Sequence, residues 1–210
     1  MERKARNTND QRYKNTHALI QKEYRLLLQE KAYREISVTE LCEKVHINRG
    51  TFYLHYQDTA AVMEELEEEL YRKIIHYIDT ALLRSLPQEM LTRQMCEYMT
   101  LTEGGKFLGS VLNGICGTGT LADRVCDYIC TTVSHAFAST GKLTPQQAEL
   151  FMTYLAGAAL AVMRRWHRNG YRDLETEHAF CNMLLHAAYA AAGIEIDQFD
   201  SIYRNAVFIE

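Results

Sequence analysis

Two helix-start signals, Ser37 and Asn48, lie so close together that they constrain the fold more than any other feature of the chain. The segment SVTE has the form of a capping box, in which the Ser37 hydroxyl accepts from the Glu40 amide and the Glu40 carboxylate reaches back to the start of the helix. This helix has only about two turns before Asn48 can cap the next one. Two short helices separated by so tight a turn cross at a steep angle, which predicts a helix-turn-helix.

The second of these helices, within INRGTFYLHY, carries aromatic side chains on more than one face. Phe52 and Tyr56 share one face and, with Ile47, are predicted to pack against the preceding helix and an earlier helix over residues 16–31. The remaining surface has charged and hydrogen-bonding groups that suit phosphate oxygens and base edges, so we predict that it binds DNA. Its residues are Arg49, Gly50, Thr51, Tyr53, Leu54 and His55.

The charge of the chain is divided unevenly along its length. Residues 1–60 contain 11 Lys and Arg against 8 Asp and Glu, whereas residues 61–210 contain 12 against 19, and the net charge is −4. A basic first segment suits the approach to a polyanion, and the acidic remainder does not. Random asymmetry between segments is the alternative, and charge alone does not decide between the two.

Composition and hydropathy exclude several classes of protein. The chain is 47% hydrophobic and 24% charged with 2 Pro, which is typical of a globular protein. The absence of an apolar run of about 18 residues predicts no membrane span, and the polar start predicts no secretory signal. The 6 Cys show no dense disulfide spacing, which favours reduced thiols and a cytoplasmic location.

The sequence gives little indication of a catalytic or metal-binding site. No nucleophile–base pair or metal triad stands out, so we predict no enzyme, catalytic residue, cofactor or metal ligand. Cys126 and Cys130, with His135 beyond them, leave a metal or thiol sensor open against the alternative of small core residues. The glycine-rich residues 102–121 lack the G-x-x-x-x-G-K-[ST] pattern and are predicted to form helix ends and turns.

The rest of the chain contains the start and end signals of further helices. Asp58 is predicted to cap a long helix that continues to about Leu82, and Pro87 to open another that ends near Thr100. Thr144 before Pro145 indicates a further helix start. Small residues recur in the last two long helices, where they allow close helix packing, either within the chain or across a dimer interface. They are Ala156, Gly157, Ala158, Ala159 and Ala161 in one, and Ala187, Ala188, Ala190, Ala191 and Ala192 in the other.

Two segments resemble a known family. SVTELCEKVHINRGTFYLHYQD, with its G-T-F-Y-x-H-aromatic core, resembles the helix-turn-helix of the TetR/AcrR bacterial transcriptional regulators, and the resemblance covers roughly residues 10–65. YLAGAALAVMRRWHRNGYRD (Tyr154–Asp173) is similar to the penultimate helix of a subgroup frequent in Gram-positive bacteria. The resemblance implies an all-α chain, with a three-helix helix-turn-helix DNA-binding domain at residues 1–57 and a helical ligand-binding and dimerisation domain at residues 58–210.

The resemblance also implies a function. We expect a homodimer, paired through the last two long helices, that binds a palindromic operator in the major groove of double-stranded DNA and represses transcription until an unknown small-molecule effector releases it. The alternative is a TetR-like co-activator or adaptor that works through a protein or ligand partner.

Roles within the DNA-binding surface follow from the same resemblance. Arg49 would read bases or phosphate near the start of the recognition helix, Gly50 would allow close approach of the backbone, and Leu54 would touch a thymine methyl group or a sugar. Ser37 would present its hydroxyl and the start of its helix to the DNA backbone. The side chains expected to hold phosphates are Thr51, Tyr53 and His55.

The sequence departs from the family pattern at two positions. Thr59 stands where the family usually has a lysine, so one expected phosphate contact is lost or weakened. His46 occupies a turn position that often holds glycine, and we therefore expect a left-handed, mildly strained backbone there.

Overall fold

The described part of the chain is built from α-helices. The computed structural model describes residues 11–83, 88–112, 114, 116–139 and 141–194. These residues contain no strand, which confirms the predicted all-α class, and none of their helices has the length and apolarity needed to cross a bilayer. The helices are α1 (Gln11–Leu27), α2 (Val38–Val45), α3 (Arg49–His55), α4 (Thr59–Leu83), α5 (Gln88–Leu101), α6 (Glu103–Leu112), α7 (Leu121–Ser139), α8 (Pro145–Arg168) and α9 (Leu174–Ala191), with a 3-10 helix at Tyr33–Glu35.

The chain divides into two compact units. The first comprises Met1–Glu68 together with the short segment Cys116–Thr118, and the second comprises Glu69–Ile115 and Gly119–Glu210. The division falls within α4, because residues 59–68 of this helix belong to the first unit. The boundary that we expect at residue 57, between a DNA-binding domain and a regulatory domain, stays a prediction.

The first unit has a core made by the predicted apolar stripes. Phe52 is fully buried and Tyr56 nearly so, as expected for the inner face of α3, while Ile47 is half-buried. The burial of these side chains against α1, α2 and α4 holds the short helix α3 in place, since seven residues are too few to be stable alone. Other buried apolar residues of the first unit are Ile20, Tyr24, Leu27, Leu28, Ile36, Leu41, Cys42, Val45, Val62, Met63, Leu66 and Cys116.

Two details of the first unit differ from expectation. Helix α1 ends at Leu27 rather than near residue 31, and the chain then turns. Lys31 lies outside the helix, where its ammonium donates to the Glu40 carboxylate at 2.6 Å. The predicted capping box at α2 is therefore wrong in one half: Ser37 Oγ does accept from the Glu40 amide at 3.2 Å, but the Glu40 carboxylate pairs with Lys31.

The turn between α2 and α3 is closed by backbone hydrogen bonds. His46 has φ 58° and ψ 44°, which confirms the left-handed conformation expected there. The next amide, of Ile47, donates to the Cys42 carbonyl at 3.0 Å. Asn48 then caps α3 by accepting from the Thr51 amide at 2.7 Å. A left-handed residue costs histidine some backbone strain, which these hydrogen bonds and the core offset.

Helix α4 begins as predicted. The Asp58 carboxylate accepts from the Ala61 amide at 2.8 Å. Further along the helix, the Glu67 carboxylate is buried and accepts from both the backbone amide of Thr118, at 2.6 Å, and its hydroxyl. Both oxygens of this buried carboxylate are therefore satisfied by one residue of the Cys116–Thr118 segment, which ties that segment to α4 within the first unit.

The second unit has its own core, to which α7, α8 and α9 contribute. Phe137 of α7 and Tyr189 of α9 stack with ring centroids 5.9 Å apart, and both are almost fully buried. Thr144 caps α8 with Pro145 in the first turn, as predicted, and Gln147 completes a capping box. The buried members of this core are Val133, Phe137, Ala148, Met152, Tyr189 and Ile194.

The glycine-rich segment is more regular than expected. Gly104, Gly105 and Gly109 lie inside α6, so the prediction of helix ends and turns is wrong for residues 103–112, whereas Gly114, Gly117 and Gly119 have the positive φ of turns. Gly105 is required by packing, because a Cβ atom there would lie 1.9 Å from the Tyr98 carbonyl oxygen of α5. Helix α5 begins at Gln88, and the predicted start at Pro87 lies outside the described residues.

Candidate nucleic-acid interface

The two faces predicted for α3 differ clearly in burial. Phe52 is 0% and Tyr56 5% exposed, whereas Tyr53 is 49% and Leu54 59% exposed. Arg49 and Gly50, at the start of the helix, are also exposed. An apolar leucine and an aromatic ring facing solvent beside an arginine are typical of a surface that meets another molecule. The exposed face of α3 is therefore available for contact with another molecule.

Gly50 faces open space apart from its own cap. A Cβ atom added there would meet only Asn48 Oδ1, at 3.3 Å. Packing inside the unit therefore gives little reason for glycine at this position, which costs about 1 kcal/mol of helix propensity relative to alanine. A glycine on an exposed helix surface does let another surface approach the backbone closely.

Arg49 is held by the preceding helix. Its Nη2 donates to Oγ1 of Thr39, the second residue of α2. Both side chains are exposed, so this hydrogen bond crosses the helix-turn-helix at its outer surface. Thr39 was not among the predicted site residues, although its place in the first turn of α2 beside the cap Ser37 could have indicated it.

The two predicted hydroxyl groups differ in their hydrogen bonds. Ser37 Oγ accepts from the Glu40 amide, which leaves its proton able to donate to a phosphate oxygen. Thr51 is half-buried, and its Oγ1 donates to the cap Asn48 at 3.1 Å. Because that bond uses the only proton of the hydroxyl, Thr51 must rotate before it can donate to phosphate.

His55 is placed differently from the other predicted site residues. It is half-buried, and its ring stacks on Tyr13 of α1 with centroids 4.1 Å apart. The neighbouring rings of His17 and Tyr56 also stack, at 5.1 Å, and His17 Nε2 lies 3.1 Å from both Tyr56 Oη and Glu65 Oε1. This cluster joins α1, α3 and α4, so His55 helps to fix α3 in the first unit.

The environment of the cluster affects the titration of Tyr56. Burial raises the pKa of its phenol above the ordinary value, and the neighbouring Glu65 carboxylate raises it further. Tyr56 therefore stays protonated, with its hydroxyl 3.1 Å from His17 Nε2. Sequence reasoning assigned Tyr56 to the core correctly but missed Tyr13, His17 and Glu65, since their meeting depends on the packing of three helices.

Thr59 does not replace the phosphate contact of the missing lysine. Its Oγ1 donates to the Ile36 carbonyl at 3.0 Å, which fixes the start of α4 beside the segment before α2. The hydroxyl proton is used inside the unit, so the structure offers no phosphate donor from this side chain in its present rotamer.

A metal-binding or thiol-sensing site at Cys126 and Cys130 was the second kind of site that the sequence left open. Cys126 and Cys130 are half-buried on α7, and burial raises the pKa of both thiols above the ordinary value. A raised pKa lowers the thiolate fraction, which disfavours reaction of these thiols as nucleophiles. Across the described ranges, no group of three or more His, Cys, Asp or Glu side chains is arranged to hold a metal ion.

Comparisons with known protein families, sequences and structures add little to what the geometry of the site shows. No protein-family model and no curated protein sequence matches the chain. Among solved structures, the chain is similar to one titled "Dihydroxyacetone kinase operon activator DhaS", with 19% sequence identity, a TM-score of 0.43 and coverage of 85% of this chain and 96% of that one. At this identity and TM-score the similarity carries no argument about function.

Proposed function

We propose that this chain is a DNA-binding transcriptional regulator of the TetR type, which acts as a homodimer on a palindromic operator. The observation that supports this best is the exposed face of α3, where Arg49, Gly50, Tyr53 and Leu54 stand outward while Phe52 and Tyr56 anchor the helix. In a helix-turn-helix, the N-terminal residues of the second helix contact base edges in the major groove. Ser37 at the start of α2 adds a donor for the DNA backbone.

Dimerisation is supported by apolar side chains left exposed on α8 and α9. Gly157, Ala158 and Ala161 are exposed on the same helix as Leu150 and Tyr154, which are 64% and 67% exposed. On α9, large side chains are likewise exposed: Phe180 57%, Met183 57% and Leu184 52%. Extended apolar surface of this kind marks an interaction site, and a two-fold axis is the commonest way to bury it. Of the small residues, Ala156 is buried within the chain and Ala188 and Ala192 are partly so.

The proposed regulation works through the separation of two recognition helices. A dimer presents two copies of α3 to successive major grooves, about 34 Å apart. An effector that prefers one separation over another shifts the dimer toward it and so changes operator affinity. Helix α4 supports such coupling, because one continuous helix, Thr59–Leu83, contributes residues to both units. We propose repression that the effector relieves.

A candidate effector site lies in the second unit. An open groove of about 780 Å³ is lined by residues of α5 and α9. Asn182 on its wall is buried, with Nδ2 3.3 Å from His178 Nδ1. The lining residues are Arg93, Glu175, His178, Ala179, Asn182, Met183 and His186.

Sequence-specific DNA binding is the direct test of the proposed function. Duplexes enriched from a random pool by the purified full chain should converge on a palindrome. Arg49→Ala should then change base preference as well as affinity, because a bidentate arginine–guanine contact contributes about 1–3 kcal/mol of discrimination. Gel shifts with the enriched duplex and its single-base variants measure this. Equal loss of affinity for every duplex would mean that Arg49 contacts phosphate and reads no base.

Tyr53 tests the assignment of the two faces of α3. Tyr53→Phe keeps the ring and removes the hydroxyl that we expect to bond phosphate, so operator affinity should fall by about 1 kcal/mol with little change in the free energy of unfolding. Phe52→Tyr is the matched control, since it places a hydroxyl in the fully buried position and should lower stability instead. A large fall in melting temperature for Tyr53→Phe with intact DNA affinity would contradict the assignment.

A co-activator or adaptor is the second candidate function. Thr59 favours it in one respect, because its hydroxyl is bonded to Ile36 and supplies no phosphate contact. An adaptor should enrich no palindrome from a random pool and should instead retain a protein partner in a pull-down. A regulator should give the opposite pair of results.

A further inference from the structure

The hydrogen bond between α2 and α3 assigns a role to a residue outside the proposed DNA-reading face. Thr39 Oγ1 accepts from Arg49 Nη2, and both side chains are at the surface. We propose that Thr39 is a positioning residue that sets the guanidinium of Arg49 for reading a base pair. The inference rests on the proposed function, because it requires Arg49 to meet a base edge.

The backbone on both sides of this contact is fixed by the turn. The amide of His46 donates to the Glu43 carbonyl at 3.3 Å, and that of Ile47 donates to the Cys42 carbonyl at 3.0 Å. Asn48 closes the start of α3. The Cα atoms of Thr39 and Arg49 are therefore held at a set separation, so the contact depends on the two side chains and not on a mobile connection.

The two residue types suit a positioning role. Threonine is branched at Cβ, which restricts its χ1 angle and gives its oxygen a defined place. Arginine has many rotamers, and a hydrogen bond to one terminal nitrogen removes most of them. The guanidinium is planar with five N–H donors, so one bond to Thr39 orients the plane and leaves four donors. A guanine takes two of these, on O6 and N7.

The positive charge of Arg49 also remains available for contact with DNA. Within the described residues, no carboxylate forms an ion pair with its guanidinium, and its hydrogen-bond acceptor is the neutral hydroxyl of Thr39. A neutral acceptor orients the group without cancelling its charge, whereas an aspartate at position 39 would orient it and compete with DNA. The Thr39 hydroxyl also keeps its own proton, which can donate to a neighbouring phosphate.

The test compares Thr39→Val, which keeps the shape and removes the hydroxyl, with Thr39→Ser, which keeps the hydroxyl. The probe is the duplex enriched by the wild-type chain and a variant altered at the base pair where Arg49→Ala loses discrimination. Thr39→Val should lower the ratio of the two affinities about fivefold, on the scale of one net hydrogen bond. Thr39→Ser should restore the ratio to within about twofold. In the Arg49→Ala background, Thr39→Val should leave the ratio unchanged.

The outcomes separate a positioning role from a phosphate contact. If Thr39→Val weakens both duplexes equally, and does so again in the Arg49→Ala background, Thr39 only contacts the backbone and the inference is overturned. A ratio that stays at the wild-type value in Thr39→Val overturns it as well. Failure of the wild-type chain to enrich any duplex would instead refute the proposed function, and with it the premise of this role.

Discussion

Gly105→Ala should destabilise the second unit by about 3 kcal/mol or more, the largest loss of stability we expect from a single methyl group in this chain. The added Cβ would lie 1.9 Å from the Tyr98 carbonyl oxygen and 2.7 Å from the Met99 Cα. Both are backbone atoms of α5, so neither can move aside without shifting that helix against α6. Thermal unfolding followed by circular dichroism measures the loss.

The neighbouring glycine is a matched control. A Cβ atom at Gly104 would meet the Tyr98 hydroxyl at 2.9 Å, which is the far end of an exposed side chain that can rotate. Gly104→Ala should therefore be near neutral or slightly stabilising, because alanine is the better helix former. Equal melting temperatures for the two variants would show that α5 and α6 do not approach as closely as described.

Gly157→Leu should lower operator affinity by about 100-fold or more while the helical content remains. No heavy atom lies within 4 Å of a Cβ atom built on Gly157, and the residue is exposed, so the single chain has room for leucine. A large side chain should prevent close approach of two copies through α8 and α9, and over-packing at a symmetric interface acts twice. A monomer keeps one recognition helix and loses the second half-site.

The oligomeric state is measured by light scattering at micromolar concentration. Circular dichroism and gel shifts on the same sample measure the helical content and the operator affinity. Ala159→Leu is the control, because Ala159 is exposed on the same helix and lies about 160° around it from Gly157, away from Leu150 and Tyr154. It should stay dimeric and bind the operator. A folded, fully dimeric Gly157→Leu protein would place the interface elsewhere on the chain.

Features set by residues three or four apart could be predicted from the sequence. The caps Ser37, Asn48, Asp58 and Thr144 each accept from an amide three residues on, and the side chain alone identifies such a cap. The apolar stripes were predictable for the same reason, as the burial of Phe52 shows. Local geometry thus sufficed for the helix-turn-helix and for the division of α3 into two faces.

Features that depend on residues far apart in the chain could not be predicted in this way. Lys31 takes the Glu40 carboxylate from its expected capping role, and Tyr13 brings His55 against α1. Periodicity indicates which face of a helix is inward but not which neighbour it meets. Gly105 shows the same limit: a glycine read as a sign of a turn is instead a site where two helices approach closely.

The buried pair of Glu67 and Thr118 has a consequence for how this protein can be recombined. Its first unit is discontinuous, since Cys116–Thr118 returns to complete it. A chimaera joined at one point of α4 after Glu67 would take this buried carboxylate and its two donors from different chains, and a buried polar group left without its hydrogen bonds costs about 1–3 kcal/mol. Exchange of the whole first unit between related chains therefore requires three crossovers, after residues 68, 115 and 118, so that residue 67 stays with residues 116–118. New DNA-binding specificity is more readily acquired by point substitution on the surface of α3 than by exchange of the whole first unit.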